Sequence, residues 1–150
     1  MTGRDAARHL VVDASVSLKW ALDDEESVSQ AVALRDAALD GRWQMVAPSL
    51  WLYEITNGLV TAVRRQRLAV ETGLRALGLL QAVGVGLADP EARDVYDAAV
   101  RYRVAAYDAA YLALAATLQA DLWTGDRRLY DSVRGTAGFV RWIGDYPLPA

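Results

Sequence analysis

The sequence contains no cysteine and a single histidine, His9. The first absence excludes a disulfide scaffold, thiol catalysis, iron–sulfur clusters and cysteine-ligated zinc. The second excludes any site built on two histidines. A Ser-His-Asp triad would have to use His9, which sits at the entry to the first apolar run. Lysine is nearly absent too: of 16 basic residues only Lys19 is lysine, and the rest are arginine. No excess of positive charge exists, since the net charge is −3, so the chain is no generic polycation that coats nucleic acid. No hydrophobic run is long enough to span a bilayer. The greasiest, 109–118, is too short and carries Tyr111 and Thr117. Residues 1–8 are polar and lack the apolar centre of a signal peptide. A soluble cytoplasmic protein is the expectation.

What the chain has is apolar mass and carboxylates. Hydrophobic residues make up 53% of 150, which predicts one domain with a sizeable core, preceded by an N-terminal extension over 1–8. Asp and Glu together number 19, and with hydroxyls and arginines they are the material left for chemistry.

Short apolar runs alternate with helical patterns. Leu10-Val11-Val12 reads as a buried strand ending at Asp13, followed by a helix over 14–22 with Val16 and Trp20 four apart. Asp23-Asp24-Glu25-Glu26 is placed at the favourable N-terminal end of a helix running through Asp40 and stopped by Gly41. A strand over 43–47 precedes a strongly apolar helix over 50–65, with Ser49 as its N-cap. A helix over 70–83, a strand over 84–88 and a helix starting at Asp89-Pro90 and ending near Tyr102-Arg103 follow. An Ala-rich helix over 107–119, apolar nearly all round, is expected to be central. A strand over 122–124, a short helix over 127–132 and a strand over 139–142 complete the pattern. Alternation of this kind predicts an α/β fold with a mostly parallel sheet.

In open α/β sheets, ligands bind beyond the carboxyl ends of the strands. Asp13 ends the first strand there, and Asp126 follows the fourth by two residues. Asp108 opens the central helix. Each also has an ordinary role open to it, as a helix cap or turn former. Glu54 lies in the first turns of an apolar helix, so it needs either an arginine partner or a metal. Asn57, three residues on, can orient it; Ser15 and Thr124 can hydrogen-bond a carboxylate, a water or their own backbone. A cluster of hard oxygens without His or Cys selects Mg2+, with Mn2+ as a substitute, over zinc or copper. Such ions polarise phosphates, activate water and stabilise a leaving oxygen. Asp97, in Tyr96-Asp97-Ala98-Ala99, echoes Asp108 but lies mid-helix between Arg93 and Arg101, and reads as a solvated ion-pair ladder.

Four blocks carry a family resemblance: Val11-Val12-Asp13-Ala14-Ser15; Pro48-Ser49-Leu50 with Tyr53-Glu54 and Asn57; Tyr107-Asp108-Ala109-Ala110-Tyr111; and Thr124-Gly125-Asp126-Arg127-Arg128. In order and spacing, over about 10–142, the chain resembles PIN-domain nucleases, VapC-type toxins of bacterial toxin–antitoxin pairs above all. The resemblance implies a three-layer α/β/α domain with about five strands. It implies a Mg2+-dependent endoribonuclease whose ligands match Asp13, Glu54, Asp108 and Asp126. It also implies a protein antitoxin that blocks the site, and a homodimer. The chain departs from the pattern at Ala105, where a hydroxyl residue is common.

Both lines of reading meet on hydrolysis of an RNA phosphodiester by metal-activated water, with Asp13 and Asp108 as first-choice direct ligands. Two divalent ions would bring the net charge from −3 to +1. Arginines must supply the remaining attraction for RNA: Arg127 and Arg128, directly after Asp126, are the best placed, with Arg64, Arg65 and Arg67 as further candidates. The competing readings are a housekeeping RNA-processing nuclease of the same fold, a catalytically inactive interaction module, and an aspartyl phosphatase. The last usually needs a second Asp two residues after the first, where this chain has Ser15.

Overall fold

The computed structural model describes residues 8–150. The expected N-terminal extension therefore lies outside the described residues, apart from Arg8, which already belongs to the first strand. In chain order come β1 (Arg8–Val12), α1 (Ala14–Ser17), α2 (Val28–Leu39), β2 (Trp43–Ala47), α3 (Leu50–Arg64) and α4 (Val70–Ala82). Then follow β3 (Gly86–Leu87), α5 (Ala92–Tyr102), α6 (Ala106–Leu118), β4 (Asp121–Thr124), α7 (Arg127–Val133) and β5 (Val140–Trp142). The strands form one sheet in the order β3-β2-β1-β4-β5, and every pairing is parallel.

Strand alternation explains the layers. Leu10 and Val12 point to one face and pack with Ala31 and Leu34 of α2, Met45 and Ile143. Val11 points to the other and joins Val46, Leu122 and Val140 beneath Trp51 and Ile55 of α3, Leu80 of α4 and Leu112 of α6. Helices thus cover both faces, as a parallel sheet requires, and the expected α/β/α architecture is what the chain adopts. α6 is central as its composition indicated: Ala109 through Ala115 are all buried.

The order of strands fixes the position of the site. From β1 the chain steps outward to β2 and β3, then crosses back to β4 on β1's other side. The crevice beyond the carboxyl ends of β1 and β4 is therefore a topological switch point, where two consecutive connections leave on opposite sides. Asp13 and Thr124 stand on its two walls.

Four local expectations are corrected. The helix after the first strand is shorter than 14–22: α1 ends at Ser17 and continues as a 3-10 turn, Leu18–Trp20. The acidic patch does not open α2, which begins at Val28 behind Ser27 at φ 59°. Asp24 and Glu25 instead grip Arg67 across the surface, at 2.6 and 2.9 Å. That pairing lowers the Asp24 pKa and removes Arg67 from the free arginines. Ser49 makes no side-chain cap on α3. Its backbone N–H donates to the Asp89 carboxylate at 2.8 Å, so Asp89 ties down the start of α3 from the far side of β3. α5 correspondingly begins at Ala92 rather than at Asp89. Asp89→Ala is expected to lower stability by about 1 kcal/mol, the usual worth of such a cap, in a urea melt.

Candidate active site

Asp13 is the most enclosed of the acids, with 6% of its surface exposed. It terminates β1 and caps α1: the Val16 backbone N–H donates to Oδ1 at 3.2 Å. Its ordinary and chemical roles therefore coexist. Two hydroxyls donate to it as well, Ser15 to Oδ1 and Thr124 to Oδ2. Both hydroxyls accept from the backbone of the β4–α7 loop. Gly125 N–H donates to Ser15 Oγ at 2.7 Å, and Asp126 N–H to Thr124 Oγ1 at 3.0 Å. Each hydroxyl thus has its proton committed to Asp13 and relays a loop amide to the carboxylate. The placement of Ser15 and Thr124 agrees with the sequence reading. Desolvation still dominates, and pushes the Asp13 pKa up to about 6 against the pull of these hydrogen bonds.

The loop packs closely at Gly125. A Cβ there would come within 2.8 Å of Lys19 Cε and 3.4 Å of Ser15 Oγ. The sole lysine thus lays its buried stem against the loop that carries Thr124 and Asp126.

Asp126 caps α7, accepting from Leu129 N–H at 3.2 Å. Asp108 lies in the first turn of α6, behind Ala105 as N-cap, and is half-buried. Its pKa is raised, by desolvation first and by Asp126 second, and lowered by Arg128. Arg128 reaches Asp108 Oδ2 at 3.8 Å from an exposed position. Arg127 turns away: its guanidinium stacks on the Trp142 ring at 3.9 Å, so the two neighbouring arginines face different partners.

Glu54 has no arginine partner among the described residues. The hydroxyl of Tyr111 donates to its Oε1 at 2.6 Å. The Glu54 pKa is raised by desolvation, lowered by the Tyr111 bond, and raised again by the charges of Asp13, Asp108 and Asp126. Asn57 is exposed and makes no bond to Glu54; Tyr111 occupies the orienting position that Asn57 was expected to hold. The residue missed in the sequence was three positions after Asp108, one turn along the same helix face, and that spacing was the available signal. Asp97 is exposed on α5, as expected, but no ion pair joins it to Arg93 or Arg101 among the described residues.

Four carboxylates from four parts of the chain are therefore linked by charge: Asp13, Asp108 and Asp126 all act on Glu54, and Asp126 acts on Asp13 and Asp108. Among the described residues, no three of them stand close enough around one point to hold an ion as they are. The donor chemistry nonetheless fits a hard divalent cation. All the candidate donor atoms are carboxylate oxygens, Asp13 is buried and the other three are partly exposed, and Arg128 at 3.8 Å is the lone basic ion-pair partner they have among the described residues.

The model of the PIN domain family matches residues 10–134. The chain belongs to the PIN family. Within it the similarity is to the VapC type. VapC ribonuclease Mb0985 of Mycobacterium bovis is 33% identical over 129 residues, covering 82% of this chain and 90% of the relative. Ribonuclease VapC9 of Mycobacterium tuberculosis matches with the same identity and coverage. Among solved structures, PAE2754 from Pyrobaculum aerophilum has a TM-score of 0.67 at 23% identity, covering 90% of this chain and 92% of that one. That likeness speaks for the fold. This PIN chain is thus a VapC-type nuclease by family, and its four acids lie at the switch point of the PIN sheet. No helix among the described residues is long and apolar enough to cross a membrane.

Proposed function

We propose that this PIN domain is a divalent-metal-dependent endoribonuclease, the toxin of a toxin–antitoxin pair, and that Asp13, Glu54, Asp108 and Asp126 hold its metal. The single observation that carries the reading is the crevice itself. Four acids converge there at the carboxyl ends of β1 and β4, and the most buried one has its pKa pushed up to about 6. Such uncompensated charge destabilises a fold unless a cation is meant to enter. The VapC ribonucleases of Mycobacterium, similar over most of the chain, support RNA as the substrate and toxin as the role.

When bound, Mg2+ or Mn2+ supplies positive charge to the scissile phosphate and lowers the pKa of a water. The protein's residues do the rest. Asp13 is held rigidly by Ser15, Thr124 and the Val16 N–H, so one ligand position is fixed before substrate arrives. Asp108 and Asp126 face it from α6 and the β4–α7 loop, and Glu54 from α3. Arg128 is positioned to leave Asp108 for a phosphate oxygen when cation and RNA enter, because its guanidinium is exposed. Hydrolysis adds the hydroxyl of water to phosphorus and its proton to the leaving ester oxygen, and breaks one P–O bond. The antitoxin and a second copy of the chain are the expected partners.

The test compares single-stranded RNA, structured RNA and a phosphomonoester, each with Mg2+, Mn2+ or chelator. Internal cleavage of RNA only with metal, and growth arrest of cells making the protein alone, are expected. Phosphomonoester turnover would indicate a phosphatase. No hydrolysis at all would indicate an interaction module. Cleavage without growth arrest would favour a housekeeping nuclease.

A further inference from the structure

The side chain of Tyr111 connects the elements that carry three of the four acids. It leaves α6 one turn after Asp108. It is 2% exposed, so its ring is fixed by packing in the core under the sheet. Its hydroxyl donates to Glu54 Oε1 on α3 at 2.6 Å. The backbone N–H of Ala14, the residue after Asp13, faces the same phenol oxygen.

This geometry has a consequence for Glu54. One of its two oxygens carries a hydrogen bond from a donor fixed in the core, which restrains the rotation of the carboxylate and favours presenting Oε2. Oε2 is left as the oxygen without a protein donor among the described residues. Mg2+ requires near-ideal six-fold geometry with single-oxygen contacts from carboxylates. Ca2+ is larger and accepts a carboxylate through both oxygens. We propose that Tyr111 is a positioning residue that pins Glu54 as a single-oxygen ligand and thereby makes the site discriminate Mg2+ from Ca2+. This rests on the four acids being a metal site, the reading proposed above.

The test is binding of Mg2+ and of Ca2+ to the full chain, each measured by calorimetry and by the rise in melting temperature, for the parent, Tyr111→Phe and Glu54→Asp. Tyr111→Phe keeps the ring and removes the hydroxyl. Glu54→Asp keeps the charge and withdraws it from the hydroxyl's reach. Outer contacts of this kind are worth about tenfold or more in metal affinity. Tyr111→Phe is therefore expected to bind Mg2+ about tenfold more weakly, with Ca2+ affinity within twofold of the parent or tighter; Glu54→Asp, which also shortens a ligand, is expected to weaken both ions and Mg2+ the more, so that the Mg2+ to Ca2+ ratio falls in both variants. A Mg2+ to Ca2+ affinity ratio within twofold of the parent's in both variants overturns the proposal. So does a Tyr111→Phe protein that no longer folds while Glu54→Asp keeps the parent's ratio, because Tyr111 then serves the core alone. A parent that binds neither ion shows that the metal reading itself has failed, an outcome distinct from a parent that binds both and variants that discriminate as it does.

Discussion

Asp13→Asn and Asp108→Asn are each expected to reduce RNA cleavage by roughly a thousandfold or more, equivalent to about 4 kcal/mol of transition-state stabilisation. The substitution keeps shape and removes the charge that the cation requires. The fold should survive at Asp13, because asparagine caps helices about as well as aspartate and Oδ1 can still accept from Val16 N–H. It should survive at Asp108, which is half-buried and whose one ion-pair partner is the exposed Arg128. Asp97→Asn is the control. It stands in the same Tyr-Asp-Ala-Ala sequence, yet it is exposed on α5 and is not among the charges that shift Asp13, Glu54 or Asp108. Its cleavage rate should stay within twofold of the parent. Equal sensitivity of Asp97 and Asp108 in a metal-dependent cleavage assay would show that the wrong acid has been assigned to the site.

The contrast between those two segments also shows what a sequence can reveal here. The five strands are short apolar runs bounded by turns, and their periodicity is local, so sheet and layers were legible. The acids were legible because chain chemistry places them directly at strand ends and helix starts: Asp13 after Val12, Asp126 after Thr124 and Gly125. Asp108 was separable from Asp97 because the residues after it are apolar, and burial follows from that. What was not legible depends on partners distant in sequence. The cap on α3 comes from Asp89, 40 positions beyond Ser49. The acidic patch looks like a helix start because acids favour that position, but its charge is taken up by Arg67, 43 positions beyond Asp24. Tyr111 looks like core, and is core, but a tyrosine buried to its hydroxyl needs an acceptor, and the acceptor is Glu54, 57 positions away. Local pattern cannot choose among such long-range polar pairs, since each residue has several chemically acceptable partners.

The second large effect is on stability without metal. Asp13 has an ordinary pKa of 3.8 and a folded-state pKa of about 6. The folded state therefore holds that proton more tightly than the unfolded chain. Stability contributed this way is present below about pH 4, declines as pH rises towards 6, and is gone above it. The loss is about 3 kcal/mol. Glu54 and Asp108 are shifted in the same direction and add to it. In chelator, urea melts of the parent should show stability falling between pH 4.5 and pH 6.5. Asp13→Asn should flatten that slope and, at pH 7, melt no lower than the parent. Divalent metal should reverse the parent's loss, because it binds the folded state alone. At a hundredfold excess over its dissociation constant it adds about 2.7 kcal/mol, or roughly 5–10 °C in a chain of this length. Asp13→Asn should gain far less from Mg2+ or Mn2+. If Asp13→Asn and Asp126→Asn both melt clearly below the parent in chelator, and metal raises no melting temperature, these carboxylates act as the caps of α1 and α7 and nothing more.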